Sequence, residues 1–234
     1  MVHDRLLPEY RSRGLHRADG TNRVTEVVEK KRERIARRQV DKFDARRTEL
    51  AIATLHTLAD LGYARTSLRE IAQNSEFSHG VLHYYFADKR DLVTEAVRQY
   101  EAVCVTRYDE VVARAETPAQ LRDEFTTMFF ATLDADAPLH RLWYDLRNQS
   151  LFDETFRSDV LEIDERREAM IWRVVSRYAE LADTAPSLSS AAAYVLMDGI
   201  FQRALLYTLS GMPDAVAQLA EELPGLFDRI VAQR

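Results

Sequence analysis

The chain of 234 residues has a single cysteine, Cys104, and only seven glycines and six prolines. One thiol excludes a disulfide framework within the chain and any zinc site built on cysteines. Glycine and proline together reach about half their usual share, so tight turns are few and helix is the first expectation. No apolar run approaches the roughly 18 residues of a membrane span. The N-terminus has charges and no hydrophobic signal segment, so no membrane association and a cytoplasmic location are expected. Catalytic constellations are missing too. There is no glycine-rich phosphate loop, no Gly-x-Ser-x-Gly and no paired Glu-x-x-His motifs, so neither an enzyme nor a cofactor is expected. With 46 % apolar residues, the chain can nevertheless bury a substantial core.

The net charge of −6 conceals a gradient. Residues 1–47 carry fourteen Lys/Arg against eight Asp/Glu, a balance of +6. Residues 96–234 stand at −9. Such asymmetry suggests that one part meets a polyanion and the other does not, although a solvated basic face on an acidic protein fits equally.

Periodicity and capping divide the chain. Residues 1–20 read as a mobile tail. From Thr21 to Leu61 there is neither Gly nor Pro, and Glu26–Lys30 and Glu33–Arg37 are favourable i,i+4 pairs, so one or two helices cover most of 24–61. Gly62 supplies a C-terminal cap. Ser67-Leu-Arg-Glu70 fits a capping box that opens a short helix to about Asn74. Ser78 caps a second short helix, 79–85, and Asp88 a third that runs to about Glu116. Pro118, Pro138, Pro186 and Pro213 then mark helix starts, giving segments near 118–134, 138–149, 153–183, 187–210 and 213–232. Strand-like alternation is absent. The chain is therefore all-α: a basic extension over 1–45, a three-helix helix-turn-helix domain over 46–92, and a larger helical domain over 93–234.

The stretch Arg46–Tyr100 resembles the DNA-binding domain of the TetR family of bacterial transcriptional regulators. The resemblance rests on Leu58-Ala-Asp-Leu-Gly-Tyr63, Thr66-Ser-Leu-Arg-Glu-Ile-Ala72 and Ser78-His-Gly-Val-Leu-His-Tyr-Tyr-Phe-Ala-Asp-Lys89. One departure is the turn Ser75-Glu76-Phe77, where many members have Ala-Gly-Val. A positive φ at Glu76 would cost about 1 kcal/mol. The residues also speak for themselves. Gly80 lets the short helix approach a groove closely, while His79, His83, Tyr84 and Tyr85 can donate to phosphates and base edges, and Val81 can meet a thymine methyl. One of the two tyrosines is expected to be partly buried. Ser67 and Ser78 open helices whose free amides suit phosphates. By resemblance, 78–84 is the recognition helix, Lys89 grips a phosphate and Arg69 reaches toward a base edge. Leu55, Leu58, Ile71, Leu82 and Phe86 are core. His79 and His83 also have the spacing of a helical metal pair, but no third ligand accompanies them and no metal is expected. Cys104 is expected to be a buried apolar residue.

The last two helices are amphipathic, and two per subunit would form a four-helix bundle across a two-fold axis. The resemblance implies the same homodimer, bound to a palindromic double-stranded operator and released by a small-molecule effector. Repression is expected, with activation left open by the sequence. The alternatives are a helical dimerisation protein that binds no DNA, and a helical enzyme. Candidate effector contacts are Phe129, Trp143, Tyr144, Arg147, Trp172, Tyr178, Tyr194, Asp198 and Gln202. Of these, Trp143, Tyr144 and Arg147 would suit a ring or acyl group carrying an acid. The helix 88–116 is the expected lever between the two functions.

Overall fold

The start signals become helices one by one. The computed structural model describes residues 19–63 and 66–231, with side chains from residue 30 onward. The expected tail up to residue 18, and the Glu26 side chain of the Glu26–Lys30 pair, lie outside the described residues. Helix α1 spans Asp19–Leu61, α2 Leu68–Gln73, α3 His79–Tyr85, α4 Lys89–Cys104 and α5 Asp109–Arg114. Then follow α6 (Pro118–Ala135), α7 (Ala137–Gln149), a 3-10 turn at Glu154–Phe156, α8 (Arg157–Leu181), α9 (Ser190–Leu209) and α10 (Pro213–Ile230). Among the described residues there is no strand, only a bridge pairing Pro186 with Val231. The all-α expectation holds.

Side-chain oxygens cap five of these helices. Ser67 accepts from the Glu70 amide at 3.2 Å, Ser78 from Val81 at 3.3 Å and Asp88 from Asp91 at 2.9 Å. Thr117 and Ser189 do the same for α6 and α9. Each such cap stabilises its helix by about 1 kcal/mol. Gly62 ends α1 in the left-handed region, φ +75°, with its amide on the Leu58 carbonyl at 2.9 Å.

Two expectations change, and the turn at Glu76 is tolerated as expected. The helix from Asp88 stops at Cys104, turns through 105–108 and resumes as α5. Tyr108 is buried there against Phe125, with ring centroids 4.6 Å apart, and Arg107 reaches Asp136 at 2.8 Å. The break thus follows from distant partners rather than from a local breaker. Helix α9 starts later than Pro186 predicts, because Ser187 donates its amide to the Ile230 carbonyl at 2.8 Å and stays outside the helix. Glu76 is not strained: among the described residues, Asp183 is the one non-glycine with positive φ.

The described residues from 46 onward form one compact unit, and those before 46 form another. In the first, Leu55, Leu58, Ile71, Leu82 and Phe86 are buried as predicted, together with Leu92, Val93 and Ala96 of α4. Farther along, Leu121, Phe125, Leu133, Trp143, Phe156 and Phe227 are fully buried between the longer helices. In the N-terminal unit, the side chains of residues 30–45 are exposed.

Candidate nucleic-acid interface and internal cavity

Three contacts fix the short helix α3. Arg47 donates to the Tyr85 carbonyl at the end of α3 (2.9 Å), forks onto the Asp91 carboxylate of α4, and lies 4.7 Å over the Phe86 ring. Arg46 stands over Phe77. Lys89 donates to the Tyr63 carbonyl at 2.8 Å and sits 3.9 Å above the Tyr63 ring. Burial lowers the Lys89 ammonium from its ordinary value, and Asp145 and Glu70 offset part of that. Burial also disfavours the Asp91 charge, but Arg47 and the Ala87 amide prevail and hold its carboxyl below the ordinary range.

On this frame, Ser67, Arg69, Ser78, His79, Gly80, His83 and Tyr84 are exposed, Tyr84 at 72 %. Val81, Tyr85 and Lys89 are half-buried. The His79 and His83 rings meet edge to face at 4.3 Å, and Tyr84 and Tyr85 at 4.9 Å. A Cβ added at Gly80 would meet nothing within 4 Å, so its bare backbone faces open space. No cluster of three or more potential metal ligands occurs among the described residues. The surface is a short, rigid helix end carrying imidazoles, a phenol and hydroxyls, groups suited to phosphates and base edges. Arg47 is the residue that sequence reasoning undervalued. Its position in the apolar series of α1 was the available signal.

Helix α4, the turn after it and α6 to α9 line a partly open cavity of about 480 Å³. Three expected effector residues, Phe129, Tyr194 and Asp198, line it. Cys104, Arg107, Tyr108, His140, Arg167 and Phe201, which sequence reasoning missed, line it as well. Trp143, Tyr144 and Arg147 lie outside this lining. Trp143 is buried beneath the Arg167 guanidinium at 4.6 Å, and Tyr144 donates to Asp198 at 2.9 Å. Arg147 is held by Asp198 of α9 and Asp164 of α8. Gln202 and Tyr144 instead line an open groove between α7 and α9. Tyr178 donates to Asp228 at 2.9 Å and packs on Phe227, while Trp172 is half-buried.

Ion pairs surround the cavity. Arg167, 8 % exposed, forks onto Glu101, 1 % exposed, with Nε to Oε2 at 2.7 Å. Burial alone would lower the Arg167 value, but Glu101 more than compensates and raises it. Burial, with Glu101 nearby, pushes the Cys104 thiol up to about 11, so it stays protonated. Burial, with Arg167 and Arg107 adding repulsion, lowers His140 to about 3, so the imidazole is neutral at physiological pH.

The sequence profile described as "Bacterial regulatory proteins, tetR family" matches residues 52–96, the span that holds α2, α3 and their caps. Over these residues the chain is similar to the DNA-binding domain of the TetR family. Its curated relatives include the HTH-type transcriptional regulator BetI of Burkholderia cenocepacia (strain HI2424), 27 % identical over 166 residues, covering 70 % of this chain and 84 % of that protein. Among solved structures, the transcriptional regulator FadR from Bacillus subtilis in complex with stearoyl-CoA superposes with a TM-score of 0.62 at 16 % identity. It covers 76 % of this chain and 95 % of that one. A regulator from Saccharomonospora viridis in complex with choline gives 0.64 at 15 % identity, covering 82 % and 100 %. Both likenesses show the fold alone: an N-terminal helix-turn-helix domain and a larger helical C-terminal domain. No helix among the described residues is long and apolar enough to cross a membrane.

Proposed function

We propose that the protein is a homodimeric repressor that binds a palindromic operator through α3 and lets go when a small molecule fills the cavity. The exposed end of α3 carries this reading. Ser78, His79, Gly80, His83 and Tyr84 are exposed together at a helix whose end is held by Arg47. Two such helices about 34–36 Å apart would enter successive major grooves on one side of a duplex. Ser67 and Arg69 flank them, and Val81 and Tyr85 contribute from half-buried positions. In this reading, Lys89 supports the Tyr63 turn as well as facing phosphate. Dimerisation through α9 and α10 is supported by Val195, Leu206 and Leu209, apolar side chains exposed along α9 at heptad spacing. The proposed domains are the basic extension 1–45, the DNA-binding domain 46–92 and the effector domain 93–234. The protein acts in the cytoplasm, without catalysis.

The regulators solved with stearoyl-CoA and with choline show that this fold holds chemically different effectors, so the cavity itself must be consulted for this chain. A gel shift with the protein's own upstream DNA at two salt concentrations tests operator binding. A retarded band, lost in Tyr84→Ala and weakened in Lys89→Ala, is expected. Equal retardation by both variants would overturn the interface. Sedimentation of Leu206→Glu, expected to be monomeric, tests the dimer.

A further inference from the structure

The cavity's polar groups are nearly all committed to one another. Arg167 is forked onto Glu101, and Arg107 reaches Asp136 at 2.8 Å. Asp198 accepts from Tyr144 and Arg147. Tyr194 donates to Asp164 at 2.6 Å. A carboxylate ligand would meet guanidiniums already neutralised by Glu101 and Asp136, and a cation would meet an Asp198 already neutralised by Arg147, so either charge would enter without a counter-charge of its own. His140 is the exception. It is 3 % exposed and lines the cavity, and neither ring nitrogen makes a hydrogen bond. The nearby Thr132 carbonyl compensates it only weakly. A buried imidazole so poorly satisfied is costly unless a ligand completes its hydrogen bonding.

The apolar lining combines Met170, Ile171 and Met197 with aromatic rings beside His140. Phe201 meets its ring at 4.7 Å and meets Phe129 at 5.1 Å. Tyr108 adds a third ring to the same lining. Such a lining suits a flat ring, which can present edges and faces to Phe129, Phe201 and Tyr108.

Resting on the reading of this cavity as the effector site, we infer that the effector is an uncharged planar ring bearing one hydroxyl or carbonyl, which pairs with His140. The neutral imidazole offers one donor and one acceptor, so either group is served.

Calorimetric titration of the full-length protein, without DNA, with phenol, toluene, benzoate and choline at neutral pH tests this. Phenol is expected to bind about tenfold more tightly than toluene, the increment of one buried hydrogen bond. It is also expected to outbind benzoate and choline by at least as much. Tighter binding of either ion, equal binding of toluene, or no binding of phenol at millimolar concentration would each overturn the inference. In His140→Leu, phenol should lose its advantage over toluene, and a retained advantage would remove His140 from the site. The toluene comparison on the unaltered protein stands even if that variant does not fold. Since no DNA is present, a failed titration and a failed gel shift are separate results.

Discussion

One guanidinium, that of Arg47, ties α1 to the end of α3 and to α4. Lysine at this position would keep the charge but lose the fork and the flat stacking on Phe86. Arg47→Lys should therefore lower stability by about 1 kcal/mol in urea unfolding. It should also weaken operator binding, because α3 loses its rear support. The Asp91 carboxyl adds a pH dependence. Its folded value lies below its unfolded one. Its contribution is thus fully present above the unfolded carboxylate range near 4 and is lost as pH falls through the folded value. Melting temperature should drop between pH 5 and pH 3, and Arg47→Met should shallow that drop. An equally steep profile in the variant would place the acid sensitivity elsewhere. Cys104 makes a simpler forecast. Buried, with its thiol pushed up to about 11, it should resist alkylation in the folded protein at neutral pH and react on unfolding.

At the scale of elements, α7 stands between the two functional regions. Arg141 donates to the Ala59 carbonyl at 2.5 Å and Asp145 accepts from the Tyr63 amide at 2.8 Å, so α7 grips the end of α1. Its other face carries His140 into the cavity. The lever expected from the sequence, one helix over 88–116, is interrupted, and α7 offers the direct connection instead. Gly62 lies in that grip. Alanine there meets Asp145 at an ordinary 3.6 Å, so the cost of Gly62→Ala is conformational, about 1 kcal/mol from φ +75°. Thermal unfolding measures it. Elements whose signals are local were legible in the sequence: Ser67, Ser78 and Asp88 announce α2, α3 and α4 within a few residues. The break at 105–108 was not, since Arg107 and Tyr108 are held by Asp136 and Phe125 far along the chain. The cavity was legible only in part. Choosing aromatic and polar residues on helices found Phe129, Tyr194 and Asp198, but the lining is assembled from α4, the following turn and α6 to α9. A usable signal existed. Glu101 lies four residues after Val97, and Arg167 lies midway between Ile163 and Ile171, so both charges interrupt apolar stripes and ask for a buried partner.

Over the whole molecule, the proposed DNA reading makes a demand on charge. The described interface carries few cations, and the basic balance of residues 1–47 precedes it in the chain. If that extension meets phosphates, replacing Lys30, Lys31, Arg32 and Arg34 by glutamine should flatten the salt dependence of operator binding. The slope should fall by about 0.9 for each phosphate that is no longer neutralised. An unchanged slope would reduce the extension to a solvated helix.

The pairing of Arg167 with Glu101 has a consequence for how such a sensor changes its specificity over generations. Glutamine at position 101 would leave the Arg167 charge buried without its partner, a loss of about 3–5 kcal/mol. An incoming carboxylate could restore that balance. A single codon change would thus give a protein that folds better with an acid bound than without one. The cavity stands one substitution from a different class of signal, and descendants of this chain that answer to acids should carry their first change at Glu101.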